Sequence, residues 1–426
     1  MQPSTFRLYE AAGHTFAWLP ATLQIIELDA VHAEAAHLLL HKIEAGTGEV
    51  VAAVDGPIAA ALEALDNAGF SSQQLKVDQA VLEAEPMGFR ISLTENCDFA
   101  CEGCFSTTAL RQTGNPLRTM TRQTLESVLD EVIVPWARRR SLRLHFFGGE
   151  PMLRFPLIKL ATLKLDELEQ AGDIHPISFS MTTNGSILSD DRIAFFTEHG
   201  FDVGVSVELT PAIHDQIRID LKSRGTFDRV VQAYRRLREF GCTSHVLVTP
   251  YPPLPDNALD AFAQLLERFP GESITVNTPF DGTTLGWLGA EEHLSFLLGA
   301  HRICREAGVS IDSALTPILS AISSETPRLS PQATTGNQIM LGIAPDGQVV
   351  RSTHKFADAY AVDATAPKLP ATWREPCRSC EAALVCGGPN EEYQVATGLD
   401  VDDQKCTFHR RALPLLIKDL HVYRAE

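Results

Sequence analysis

Seven of the nine cysteines fall into two groups, and the spacing within each limits the chemistry it can perform. Cys97, Cys101 and Cys104 form a Cys-x₃-Cys-x₂-Cys run. Three thiolates leave a tetrahedral zinc ion one ligand short, whereas a four-iron cluster held by three protein sulfurs keeps one iron open to an exogenous ligand. The second group, Cys377, Cys380, Cys386 and Cys406, supplies four thiolates and therefore a closed site. Chemistry alone allows that site to be structural Zn²⁺ or a fully ligated iron–sulfur cluster. Cys242 and Cys304 stand alone and read as small apolar packing residues.

The elements that must position these thiols are legible in the rhythm of the chain. Between residues 89 and 307, apolar runs of strand length alternate with segments of helical periodicity, the pattern of βαβ units and a parallel sheet. Strands are predicted at Phe89–Thr94, Leu142–Phe147, Ile177–Thr182, Asp202–Val207, Ser244–Thr249 and Ser273–Asn277. Leu125, Val128, Leu129, Val132 and Ile133 mark one helical face, with Thr121 as its N-cap. Further helices are predicted at Phe155–Gln170, Asp190–His199, Phe227–Phe240, Ala258–Phe269 and Glu291–Ala307. The first cysteine group thus follows the first strand, on the face of a β/α barrel that carries catalytic loops.

Ahead of this segment, residues 1–75 read as short strands between Phe6 and Leu28, then helices around Ala30–Ile43 and Ile58–Leu65. Residues 76–88 are a linker. From about residue 308 onward comes a hairpin at Met340–Arg351 turning at Asp346-Gly347, then a Pro-, Gly- and Cys-rich stretch with too little apolar surface for a core of its own.

The cysteine run resembles the signature of the radical S-adenosylmethionine (SAM) superfamily, and further motifs resemble it at successive strand ends. Gly148-Gly149-Glu150-Pro151 ends the second strand, Thr183-Asn184-Gly185 the third, and Ser206 and Glu208 the fourth, with Arg218 beyond. The resemblance implies that Cys97, Cys101 and Cys104 hold a [4Fe–4S] cluster whose open iron takes the amino and carboxylate groups of SAM. It implies a Glu150 contact with the SAM ammonium, a Ser206 and Glu208 contact with the ribose, and an Arg218 contact with the carboxylate. Gly148, Gly149, Pro151, Thr183 and Asn184 complete the implied SAM site. One departure is Gly103, where many members carry an aromatic residue near adenine; Phe105 or Phe99 is the candidate substitute.

The C-terminal group resembles the SPASM extension of radical SAM peptide-modifying enzymes. Positions Cys377, Cys380, Cys386 and Cys406 match one auxiliary [4Fe–4S] cluster, while the thiols of a second are missing: the segment Thr334–Thr353 has none and Asn390 stands where another would be. One auxiliary cluster is expected, with zinc as the alternative, in a domain between the SPASM and twitch types.

The expected architecture is therefore α/β. It comprises a partial (β/α)₆ TIM-like barrel at 89–307, an N-terminal unit at 1–75 that resembles the winged-helix-like peptide-recognition element of many ribosomal-peptide maturases, and a cysteine-rich SPASM/twitch-like domain at 308–426. The expected activity is SAM cleavage to a 5′-deoxyadenosyl radical that abstracts hydrogen from a residue of a ribosomally made precursor peptide, giving an oxidative cross-link. The alternatives are a maturase of a protein substrate, of sulfatase- or quinocofactor-maturing type, and a non-catalytic metal-binding scaffold. The formal charge of −18 argues against nucleic acid or an anionic membrane as partner. No apolar run approaches the ~20 residues that span a bilayer, and no signal peptide is evident, so a cytoplasmic protein is expected. The expected partners are a precursor peptide with its leader and a reductant such as flavodoxin or ferredoxin. Asn277 and His145 are candidates for the barrel mouth; His145 reads equally as a strand core residue.

Overall fold

The computed structural model describes residues 6–11, 13–20, 23–45, 57–68, 86–104, 106–112, 114–278, 285, 288–324, 339–350, 377, 380, 382–387 and 403–424. Phe105, Asn390 and residues 76–85 of the expected 76–88 linker lie outside them, while residues 86–88 of that linker belong to a strand, Pro86–Ser92.

The six predicted barrel strands are β4 (Pro86–Ser92), β5 (Leu142–Phe147), β6 (Ile177–Thr183), β7 (Asp202–Val207), β8 (Thr243–Val248) and β9 (Ser273–Val276). They lie side by side in chain order, each parallel to the next. Parallel neighbours need long crossovers, and helices such as Phe155–Gln170 and Phe227–Glu239 provide them. The sheet is open: β10 (Ser310–Asp312) extends the β9 edge in parallel, and β11 (Ile339–Ile343) pairs in parallel with β4. β12 (Val349–Val350) then returns antiparallel to β11, so the predicted hairpin forms one edge of the same sheet. At its turn Asp346 accepts the Gln348 N–H, and Gly347 adopts φ +92°, a conformation that favours glycine.

Strand alternation separates the core from the site. On β5, Leu142, Leu144 and Phe146 are buried among the helices, while Arg143, His145 and Phe147 project to the other face and are less covered. On β6, Ile177, Phe179 and Met181 do the same against Ser178, Ser180 and Thr182. The apolar set joins Val203, Val205, Val246 and Ile274 in one continuous core. The polar set is left to line the concave face. His145 belongs to this layer, its ring nitrogens bonded to Ser180 and Thr182, so it is a strand residue within the sheet. Cys242 and Cys304 are both buried in the core, as packing residues should be.

The N-terminal strands β1 (Arg7–Ala11), β2 (His14–Leu19) and β3 (Gln24–Leu28) form an antiparallel sheet in the order β1-β2-β3. Its two faces do different work. Ala17 and Leu19 pack on the helices Ala30–Ala45 and Pro57–Asn67 in a separate small core, whereas Phe16 and Trp18 join the main one. The strand β1 touches the C-terminal helix Asp403–Arg424, which in turn packs on Ala290–Glu306. Among the described residues no helix is long and apolar enough to cross a membrane.

Candidate active site

The loop after β4 carries the first three cysteines, and its path is fixed by neighbours on both sides. Ala100 and Glu102 donate backbone bonds to the carbonyls of Ile219 and Ile217, at 2.8 and 2.9 Å. The Arg111 guanidinium forks onto the carbonyls of Cys97 and Phe99, at 2.8 and 3.1 Å. Before the loop, the segment 94–96 is gripped by the Gly-Gly dipeptide: Gly149 donates to Thr94 and Glu150 to Asn96. A Cβ at Gly148 would lie 2.3 Å from the Thr94 carbonyl oxygen and one at Gly149 2.2 Å from that of Asn96. The glycines therefore allow two backbones to meet just ahead of Cys97.

The cavity at the C-terminal ends of the strands is walled by Cys97, Cys101, Cys104, Gly148, Gly149 and Glu150 on one side. Thr183, Asn184, Ser206, Arg218, Leu247, Thr249, Tyr251 and Asn277 also line it. Pro151 starts the short helical turn Pro151–Arg154, whose N-cap is Glu150. Glu208 is fully buried behind Arg218. Among the described residues, no three His, Cys, Asp or Glu side chains stand at the spacing of a single-ion site.

Glu150 is the most instructive of these residues. It is 1% exposed, and burial pushes its carboxyl up to about 7 despite bonds from the backbone N–H groups of Asn184 and Met152 and from the Thr183 hydroxyl. All three donors are neutral, so among the described residues this buried carboxylate has no cation to answer it. Arg218 presents the complementary case. Its Nε donates to Glu208 Oε1 at 2.7 Å, leaving the rest of the guanidinium fork toward the cavity. A cavity lined by both a buried carboxyl and a guanidinium suits a zwitterion such as an α-amino acid. Asn184 joins the strand end to the cysteine loop: its Nδ2 donates to Asp98 Oδ1 at 2.9 Å and to Cys97 Sγ at 3.7 Å. Burial raises the Cys97 thiol strongly, with Glu150 adding to the rise, and raises the Cys101 thiol to about 11 although the nearby Arg218 guanidinium opposes it.

Gly103, the departure from the family pattern, has φ +72°, and a Cβ there would lie 2.5 Å from Leu285 Cδ1. A larger residue has neither the backbone conformation nor the room. Phe99 lines the cavity and is almost fully buried. Sequence reasoning missed Tyr251, Leu247 and Thr249, which follow or end the fifth barrel strand and belong to no local motif.

The thiols of the second cysteine group lie close enough to influence one another. Burial pushes the Cys377 thiol up to about 11, and the neighbouring Cys386, Cys380 and Cys406 add to that rise. Cys386 ends the turn Ala383–Cys386, which Gly387 caps at φ +79°, and Cys406 stands in the first turn of Asp403–Arg424. That long helix, absent from the sequence expectation, delivers the fourth thiol.

Motifs stand at four consecutive parallel strand ends, with three thiols at the first, and residues 91–268 match the family model described as the Radical SAM superfamily. Among its relatives, a serine-type anaerobic sulfatase-maturating enzyme of Klebsiella aerogenes is 26% identical over 349 residues, 74% of this chain and 83% of that protein. The fold is shared with native anSMEcpe with bound AdoMet, at a TM-score of 0.64 and 16% identity, covering 80% of this chain and 99% of that one. The same protein with bound AdoMet and Cp18Cys peptide gives a TM-score of 0.62 at 15% identity, over 80% and 99% of the two chains.

Proposed function

We propose that this chain is a radical SAM maturase that oxidises a residue of a protein or peptide substrate, after the manner of its sulfatase-maturating relatives. The observation that carries this reading is a cavity lined by three cysteines, the buried Glu150 carboxyl and the Arg218 guanidinium. In this reading Cys97, Cys101 and Cys104 hold a [4Fe–4S] cluster, Glu150 binds the SAM ammonium and Arg218 the carboxylate. Ser206 faces the ribose and Glu208, buried behind Arg218, holds the guanidinium, while Thr183 and Asn184 favour the ionised form of Glu150 by donating to it. When bound, the cluster would supply the electron that cleaves SAM to a 5′-deoxyadenosyl radical. Leu247, Tyr251 and Asn277 form the wall that a substrate residue would face. Cys377, Cys380, Cys386 and Cys406 hold one auxiliary [4Fe–4S] cluster, which offers an acceptor for the substrate's second electron; structural zinc is the alternative.

The relatives favour a protein substrate over the cross-linking of a ribosomal precursor. One observation supports the second reading. The N-terminal sheet has its own small core, and β3 forms its outer edge among the described residues, a seat on which an extended leader peptide could add as a further strand. Both readings rest on the same radical. The test is anaerobic incubation of the iron-loaded protein with SAM, a strong reductant and either a sulfatase-derived peptide or the full precursor. Formation of 5′-deoxyadenosine with a product short of two hydrogens is expected. A carbonyl trapped by hydroxylamine marks oxidation, and tandem fragments that stay joined mark a cross-link. Absence of 5′-deoxyadenosine with both substrates would remove the radical SAM reading.

A further inference from the structure

Behind the Glu208–Arg218 pair lies a closed ring of hydrogen bonds that the proposed chemistry does not use directly. The short helix Pro211–Ile217 begins where Thr210 caps the Ile213 N–H and ends at Arg218. Within it, His214 is fully buried. Its Nδ1 accepts the backbone N–H of Glu208 at 3.2 Å, which obliges Nε2 to carry the ring hydrogen. That Nε2–H faces Thr226 Oγ1 at 3.1 Å, and the Thr226 hydroxyl donates in turn to the Arg218 carbonyl at 2.7 Å. Arg218 closes the ring by donating from Nε to the Glu208 carboxylate at 2.7 Å. Thr226 is 1% exposed, and its backbone N–H is held by Asp215 at 2.7 Å. Every donor has one acceptor, and each direction is set by the previous one.

We infer that His214 and Thr226 are positioning residues for SAM, holding Glu208 and Arg218 in the attitude in which the cavity receives the ribose and the carboxylate. Neither touches the ligand. They act because Arg218 sits at the frayed end of a seven-residue helix, φ −100° and ψ 82°, where no further helical bond fixes its backbone carbonyl. The Thr226 hydroxyl supplies that restraint, and the neutral imidazole links it to the strand end at Glu208. A guanidinium left to sample other rotamers would meet a carboxylate with a lower population of the bidentate geometry, so SAM affinity falls while the thiol cage is untouched. Removing the Thr226 hydroxyl breaks both of its bonds and leaves the buried His214 Nε2–H unanswered. Serine keeps the hydroxyl at little cost in packing.

The inference rests on the SAM reading above, and the test separates the two. The iron-loaded wild type, Thr226→Val, Thr226→Ser and His214→Phe are compared by equilibrium dialysis with SAM, by iron content and by thermal melting. The expected result is a rise of about tenfold or more in the SAM dissociation constant for Thr226→Val and His214→Phe, equivalent to about 1.4 kcal/mol, with iron unchanged. Thr226→Ser should bind as the wild type does. A merely structural ring would lower the melting temperature of Thr226→Val while its folded, iron-loaded form bound SAM normally, and that result would overturn the inference. Should His214→Phe fail to accumulate, the two Thr226 variants decide. A wild type that retains its iron and binds no SAM would overturn the SAM reading itself, and the inference with it.

Discussion

At the scale of single residues, the site is governed by burial and by the count of donors and acceptors. His214 illustrates this outside the ligand-facing wall. Burial, with the Arg218 charge nearby, lowers its pKa to about 3. An unfolded chain binds that proton near pH ~6.5, whereas the folded chain does not bind it until about 3. Between those values the unfolded state holds more protons, so the stability linked to His214 is complete above the upper limit and falls as the solution is acidified. His214→Gln should therefore flatten the pH dependence of unfolding free energy between pH ~5 and ~7, measured by urea titration of the metal-free protein. A dependence as steep as that of the wild type would place the acid sensitivity elsewhere.

At the scale of elements, the fold joins pieces distant in sequence through a few partly buried charges. Arg118, in the loop before the first barrel helix, donates from Nε and Nη2 to Glu95 at 2.9 and 2.7 Å, and from Nη1 to Asp346 in the β11–β12 turn at 2.7 Å. Its two partners differ in cover: the Glu95 side chain is 7% exposed and that of Asp346 46%. Removing the guanidinium strands a buried carboxylate just ahead of Cys97, so Arg118→Ala should cost about 1–3 kcal/mol. Asp346→Ala gives up only a solvated pair and should cost less than about 1 kcal/mol. Chemical denaturation of both variants checks the ranking; equal losses would show that the turn, not the buried carboxylate, depends on Arg118. The helical run from Arg122–Val128 to Val134–Ala137 passes through a wider turn at Leu129–Ile133 yet keeps Leu125, Leu129 and Ile133 against the sheet, so the predicted apolar face survives.

At the scale of the whole molecule, the two cysteine groups lie in different structural surroundings, one in the loop after β4 and one against the C-terminal helix. Their occupancies are separable for that reason. In the proposed reading, anaerobic reconstitution should give about eight irons per chain, and a Cys97→Ala, Cys101→Ala, Cys104→Ala variant about four. Iron and acid-labile sulfide analysis, with zinc measured alongside, checks this. About four irons in the wild type together with one zinc would assign the second group to zinc.

The sequence by itself determined the thiol spacing and the six parallel strands, because both are local. A run of three thiols within eight residues is written out in order, and a strand buried between helix and cavity alternates apolar with polar, as Leu142–Phe146 does. The glycines at 148 and 149 were equally legible, although their full reason, contact with Thr94 and Asn96, was not. Only the tertiary structure decided the rest. The apolar run Ile339–Ile343 carries no mark that seats it beside β4, and Tyr251 and Leu247 acquire meaning from the wall they complete. The convergence of Glu150 with Arg218, and the ring through His214 and Thr226, depend on how separate strand ends and helices are brought to one place. Such pairings are fixed by packing between elements, a non-local property that no periodicity within a single segment records.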